Sequence, residues 1–222
     1  MDDAVYQYQH DRSHKELLFQ FTRCMVHFAV DDAQVKFCTR LQGKESWFLP
    51  FNKGYKDGAG NPPNPDGLMT DYLWKRILTK EMLSRIIENY AVLIEEKDEE
   101  TGKPKYKQIF PRYHQLMAVE SLLADVKAHG VGKRYLIQHS AGSGKSNSIA
   151  WLAHQLTGLE DAQGNLLVDS VIVVTDRVIL DKQIRDNIRQ FAPVSYTHLD
   201  VYKRQVLEFP QGIHRFLPSA VK

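Results

Sequence analysis

The chain has 222 residues, room for one large domain or two small ones, and its 43% hydrophobic and 25% charged content is that of an ordinary globular protein rather than a disordered or low-complexity one. A formal net charge of +2 neither requires nor excludes a nucleic-acid partner, so any such partner has to be argued from motifs. No apolar run approaches the ~20 residues of a membrane span, and the opening MDDAVYQYQHDR is too acidic and polar for a signal peptide, so we expect a soluble, cytoplasmic protein with no membrane partner.

Residues 1–18 read as polar and helical. CMVHFAV (24–30) and QVKFCTR (34–40) read as strands joined by a turn at Asp31 and Asp32, with apolar and polar residues alternating in the second. Cys24 and Cys38 fall in these segments without metal-ligand spacing and read as reduced thiols. SWFLPF (46–51) is a third apolar stretch, and 53–67 is dense in Gly, Pro, Asn and Asp, the composition of an irregular surface loop. Two helices are predicted within 70–93, the second over EMLSRIIENYAVLI. The charged stretch 95–107 reads as flexible, and the main domain boundary is placed there, between 1–105 and 106–193. Residues 111–130 have a helical apolar period and end on Gly130, a good helix stop. RYLIQ (134–138) reads as a strand, about 145 to 157 as a helix, NLLVDSVIVVTD (165–176) as a strand and 178–191 as a helix. Strand, loop, helix, strand, helix is the order of a parallel α/β sheet with right-handed crossovers.

The loop HSAGSGKSN (139–147) lies between the strand and helix of that pattern. A phosphate-binding loop leaves a strand, turns through glycines and enters a helix, so that backbone N–H groups and the helix N-terminus face the phosphates. Ser140, Ala141, Gly142, Ser143, Gly144, Lys145, Ser146 and Asn147 are the candidate ATP-binding residues of this loop. Gly142 and Gly144 allow close backbone approach, Lys145 reaches the β- and γ-phosphates, and Ser146 is the candidate Mg²⁺ ligand. His139 stands where the usual pattern has its first glycine. Gln115, one helix and one strand upstream, has an amide able to pair with both adenine edges, and Phe110 and Arg112 are placed to stack on or flank the base. Composition alone leaves Gln115 equally a solvent-facing helix glutamine. Thr175, Arg177 and Gln183 follow the next strand, at the sheet end where ligands of open α/β folds lie, and are candidates for a nucleic-acid backbone. By composition Arg177 is equally a surface ion-pair residue.

Two acidic stretches imitate metal sites. Asp31-Asp32-Ala33-Gln34 resembles an acidic Mg²⁺ box but precedes the loop and reads as a hairpin turn. Glu95-Glu96-Lys97 has the E-x-K spacing of a metal-dependent nuclease, yet it sits in a charged stretch read as a loop with no apolar strand to hold it. Of the nine histidines only His10 and His14 stand at H-x-x-x-H spacing, and no zinc site is expected. A small P-loop kinase would need a pair of lid arginines soon after the loop, and none is present.

Three segments carry a close resemblance: FPRYHQLMAVESLLADV, YLIQHSAGSGKSNSIAWLAHQL and VIVVTDRVILDKQIRDNI are similar to consecutive parts of the restriction (motor and nuclease) subunit of type I restriction–modification enzymes. The stretch RCMVHFAVDDAQVKFCTRLQGKESWFLPFNKG, continued by GAGNPPNPDG, resembles the same family's connection from nuclease to motor. The resemblance covers roughly residues 1–193 and implies an α/β chain: the start of a RecA-like P-loop domain with a parallel sheet, preceded by the C-terminal part of an α/β nuclease domain. It implies a superfamily 2 translocase that uses ATP and Mg²⁺ to pull double-stranded DNA past modification and specificity subunits before cutting it. Gln115 then corresponds to the adenine-reading glutamine, Lys145 and Ser146 to the phosphate and Mg²⁺ positions, and Thr175 and Arg177 to the segment on the DNA track. It also implies that the nuclease E-x-K lies upstream of residue 1, and that the acidic box, second lobe and arginine fingers lie downstream. No catalytic residue is therefore expected in this chain. The alternative is a superfamily 2 helicase without a nuclease.

Residues 194–205, VSYTHLDVYKRQ, do not fit that frame. One back-translation of them is, apart from ragged ends, its own reverse complement, and it resembles two inverted copies of a transposon end used in sequencing-library adapters. We read the segment as a cloning or assembly artefact, and leave 206–222 unassigned. Host genomic DNA amplified without a transposon library is expected not to encode 194–205 in this frame. Recovery of the same codons would return the segment to the natural chain.

Overall fold

The computed structural model describes residues 1–56, 58–98, 101–175 and 178–191. Helix α1 (Asp2–Tyr6) runs into a π-helical turn over Gln7–Asp11, so the helical reading of the N-terminus holds to Asp11. Strands β1 (His27–Val30), β2 (Val35–Cys38) and β3 (Leu49–Pro50) form an antiparallel sheet in that order, with His27 opposite Cys38 and Phe37 opposite Leu49. Ala29, Val35 and Phe37 are buried, the inward set of a period-two pattern. The Asp31 carboxylate accepts hydrogen bonds from the Ala33 and Gln34 N–H groups at 2.8 and 2.7 Å. The acidic tetrad is thus the turn between β1 and β2, and its first carboxylate is occupied by backbone.

The Gly- and Pro-rich loop is pinned by one buried side chain. Asn61 accepts from the Lys53 N–H at 2.8 Å and donates to the Ala33 carbonyl at 2.8 Å. Tyr72 donates to the Phe51 carbonyl at 2.7 Å. Burial pushes its phenol well above the usual tyrosine range, so it stays a donor.

Helix α2 (Lys80–Asn89) starts where the Thr79 hydroxyl accepts from the Met82 N–H at 3.3 Å. It stops before the apolar run it was expected to include. Val92, Leu93 and Ile94 instead open strand β4 (Val92–Lys97), which pairs antiparallel with β5 (Pro104–Ile109). Consecutive apolar residues suit either period, and the cross-strand partner Ile109 opposite Val92 decides between them. This corrects the reading of 95–107 as a flexible stretch. Glu96 faces Lys105 across the hairpin, an opposite-charge pair that favours this register. Glu95 and Lys97 therefore do lie on a strand, but both are exposed. Among the described residues no group of His, Cys, Asp and Glu is placed to hold a metal ion.

Helix α3 (Tyr113–His129) ends at Gly130 as predicted, with φ +76° and the Gly130 N–H on the Val126 carbonyl. Helices α4 (Lys145–Thr157) and α5 (Val178–Gln190) fall where the periodicity puts them. One apolar cluster joins these elements. Phe28, Phe37 and Phe51 meet Phe110 at ring distances of 5.9, 5.6 and 6.2 Å, and Phe51 meets Tyr113 edge-on at 5.8 Å. Leu116 and Val119 on α3 carry the cluster on to Trp151 of α4, which stacks on Phe191. Residues on both sides of the boundary placed at 105/106 thus share this core.

Both described sheets are antiparallel, and the segments expected as parallel strands, 134–138 and 165–176, carry no strand ladder among the described residues. Val173 packs inward while Ile172 and Val174 on either side are 71% and 69% exposed, and Leu136 is 92% exposed. No helix among the described residues is long and apolar enough to cross a membrane.

Phe51 is fully buried between the sheet and α3, so Phe51→Ala is expected to cost about 3–5 kcal/mol by denaturant unfolding. Trp47→Ala, at a side chain 76% exposed, is expected to stay within about 0.5 kcal/mol. Equal costs would contradict the aromatic core described above.

Candidate functional site

The loop before α4 has the backbone its sequence requires. Gly142 and Gly144 have φ of +71° and +81°, left-handed conformations that cost an L side chain about 1–2 kcal/mol. Space differs between them. A Cβ at Gly142 would meet nothing within 4 Å, whereas one at Gly144 would collide with the Gln115 amide. Past Gly144 the chain enters α4, whose first two N–H groups, of Lys145 and Ser146, precede the first helical hydrogen bond and stand at the positive end of its dipole. Loop and helix start together form a place for an anion.

The first turn of α3 closes the other side. His114 Nε2 lies 3.1 Å from the Ser143 carbonyl, and Gln115 Nε2 donates to the Gly144 carbonyl at 2.7 Å. Two adjacent side chains thus grip two adjacent loop carbonyls. A carbonyl only accepts, so His114 carries its proton on Nε2. The Gln115 Oε1 accepts the Arg112 N–H at 2.9 Å, and the whole side chain is only 2% exposed. The expected base-reading glutamine is therefore buried, with its donor and acceptor both engaged on this chain. Burial holds the His114 imidazole below the usual histidine range, with His139 and Arg112 acting in the same direction and the Ser143 bond opposing.

Lys145 Nζ donates to the His139 and Ser140 carbonyls at 3.1 and 2.8 Å and is exposed. Ser140 and Ala141 are exposed, while Ser143 is only 5% exposed and its hydroxyl has no hydrogen-bond partner. His139 Nδ1 is likewise buried without a partner. Two glycines of left-handed backbone and an exposed lysine ammonium at a helix start are the groups here that suit a phosphate. Ser146 is half-buried in the first turn of α4, the position from which a hydroxyl would reach Mg²⁺ beside a phosphate. Asn147 is turned elsewhere: its N–H bonds the Gly144 carbonyl at 3.1 Å, and its Oδ1 accepts from Asn187 of α5 at 3.0 Å.

Phe110 does not join this group. It is 6% exposed within the aromatic core, which removes it from any stacking role on a base. Thr175 ends the extended segment before α5 and is half-buried. Arg177, the side chain of Gln183 and residues 192–222, including 194–205, lie outside the described residues. Sequence reading had no signal for His114 or Asn187. Each acquires its role through a contact with a residue remote in the chain.

Gly144→Ala is expected to destabilise the fold by more than Gly142→Ala in chemical denaturation, because only the former adds a collision to the conformational cost of about 1–2 kcal/mol. Equal losses would show that Gln115 does not press on Gly144.

Comparison with known proteins agrees with this geometry. Residues 114–208 match the family model described as SWI2/SNF2 ATPase, a span that begins at His114, takes in the loop, α4 and α5, and runs past the described residues. No curated protein and no solved structure matches the chain. From His114 onward the chain is similar to helicase-like ATPases, and ATP is the ligand such a domain uses.

Proposed function

We propose that this chain takes part in ATP-dependent translocation and endonucleolytic cleavage of DNA, as the nucleotide-binding portion of a type I restriction subunit. The observation that carries the ATP-dependent part is the loop of Gly142, Gly144 and Lys145 on the N-terminus of α4, inside a stretch that matches a helicase-like ATPase. The restriction assignment draws on the resemblance of segments across residues 1–193. In this reading residues 106–193 begin a RecA-like domain whose parallel sheet uses the segments 134–138 and 165–176, and 1–105 end a nuclease domain with its connector. Double-stranded DNA is the track, with Thr175 and Arg177 beside it, and modification and specificity subunits are the partners.

The residues of the loop have defined tasks in this scheme. Lys145 gives up the His139 and Ser140 carbonyls for phosphate oxygens, a charge-assisted exchange. The N–H groups at the start of α4 take further phosphate oxygens, and Ser146 supplies one oxygen to Mg²⁺. Gln115 reads adenine only by exchanging its bonds to Arg112 and Gly144 for bonds to the base, which couples base recognition to the loop backbone. Bound ATP supplies the phosphoryl bond whose hydrolysis drives movement. Hydrolysis also needs an acidic box and arginine fingers, which the sequence does not hold between the loop and residue 222.

A second reading, a translocase without nuclease activity, is favoured by the matched family, whose description is that of an ATPase. The coding sequence upstream of residue 1 separates the two through a strand-borne E-x-K.

Calorimetric titration of the 222-residue chain with Mg-ATP is expected to show binding, weakened about ten- to hundredfold by Lys145→Ala. The chain alone is expected to hydrolyse little ATP and to leave DNA intact. Absence of ATP binding would overturn the nucleotide reading, and cleavage of DNA by the purified chain would overturn the placement of the nuclease centre outside it.

A further inference from the structure

The pattern of a phosphate-binding loop opens on a glycine, and here that position is His139. Its ring is not turned to solvent. It meets His114 edge to face, with ring centres 4.7 Å apart and planes at 78°. His139 is half-buried and its Nδ1 is fully enclosed without a partner. His114 is half-buried too, and spends its Nε2 proton on the Ser143 carbonyl. One imidazole thus belongs to the loop, the other to α3, and the second holds a loop carbonyl. The charges around the pair share one sign. Arg112 flanks His114 from the start of α3, and the Lys145 ammonium sits on the His139 carbonyl.

We propose that His114 and His139 form one positioning unit for the phosphate loop, and that anion binding at the loop draws protons onto this pair. The proposal deepens the nucleotide-binding reading above and rests on it. Its physical basis is the charge balance. In the free loop a proton on His114 adds positive charge to a half-buried place beside His139 and Arg112, with no carboxylate among the groups that bear on it. The neutral form of His114 is favoured, because burial first, and His139 and Arg112 after it, lower its proton affinity. For folding, a histidine whose proton affinity falls in the native state stabilises the fold above its unfolded value of about 6.5 and loses that contribution as pH falls. A bound phosphate reverses the balance. Its negative charge offsets Arg112 and Lys145, and a proton on the pair becomes favourable. Binding then takes up protons, and affinity rises as pH drops below neutrality, by up to about tenfold for each unit by which the ligand raises the pair. Positioning is the second half of the role. With the Ser143 carbonyl held against α3, the loop backbone is fixed in one shape before the anion arrives.

The test uses the full 222-residue chain with Mg-ADP as the probe, in two measurements. The first is calorimetry near pH 6.5 in buffers of different ionisation heat, which counts the protons taken up. The second is an NMR pH titration of the imidazole signals, with exposed His129 at the far end of α3 as internal reference. We expect net proton uptake, an upward shift of His114 or His139 on adding the nucleotide, and no shift at His129. His114→Ala should weaken binding about tenfold at pH 8 through loss of the carbonyl bond. His114→Gln, which offers an N–H at the place of Nε2 but does not titrate, should recover part of that loss and flatten the pH dependence. Binding with no proton uptake, or uptake unchanged in both His114→Gln and His139→Gln, overturns this proposal and leaves the nucleotide reading standing. Absence of binding at every pH overturns the nucleotide reading instead. In that case the positioning role is judged without nucleotide: the Ser143 and Gly144 amide signals must follow the histidine titration in the natural chain and cease to do so in His114→Gln, and any other result overturns it.

Discussion

The site depends on one turn of helix. His114 and Gln115, neighbours at the start of α3, hold the carbonyls of Ser143 and Gly144, neighbours in the loop. Backbone carbonyls turned toward an incoming phosphate would repel it, and these two are held instead on donors of α3. The approach is close enough that a Cβ at Gly144 would have to displace the Gln115 amide from its hydrogen bonds. The Gly144 carbonyl is also the first acceptor of α4, taking the Ser148 N–H at 3.4 Å. Helix start, loop shape and the α3 contact are therefore one arrangement.

That arrangement is only as rigid as α3, and α3 is held from several sides. Leu116 and Val119 sit in the apolar core, and Tyr113 meets Phe51 and Tyr72 edge-on. On its flank Glu120 accepts from Arg85 at 2.6 Å and from the Tyr90 hydroxyl at 2.8 Å, joining α2 to α3. Burial, with the Glu120 charge beside it, pushes the Tyr90 phenol far above the ordinary tyrosine range, so its proton stays in this bond at any working pH. The exposed Arg85–Glu120 pair adds little by itself. The buried aromatic rings contribute most, since each removes a large apolar area from water.

The loop also faces α5. Asn147 reaches Asn187, and two turns further along α4 His154 approaches the Ile188 carbonyl at 2.5 Å. The start of α4 thus has polar contacts both with α3, which closes the loop, and with α5.

What the sequence determined by itself is local. Glycines before a lysine and a helical period after it are enough to specify the loop–helix junction, because left-handed turns and 3.6-residue periodicity are properties of short segments. The ends of α3, α4 and α5 and the turn at Asp31 were legible for the same reason. The tertiary structure decided whatever needed a remote partner. Residues 91–94 suit helix or strand until Ile109 pairs with Val92, and the charged stretch beyond them becomes a hairpin only because β5 lies beside it. Phe110 has a base-stacking composition and a core position, and three phenylalanines from the first sheet and its exit put it in the core. Gln115 has an amide suited to adenine, yet proximity to Gly144 turns that amide onto the loop. The roles of His114 and His139 exist only because packing of α3 on α4 brings their two rings together, and no pattern along the chain encodes that meeting.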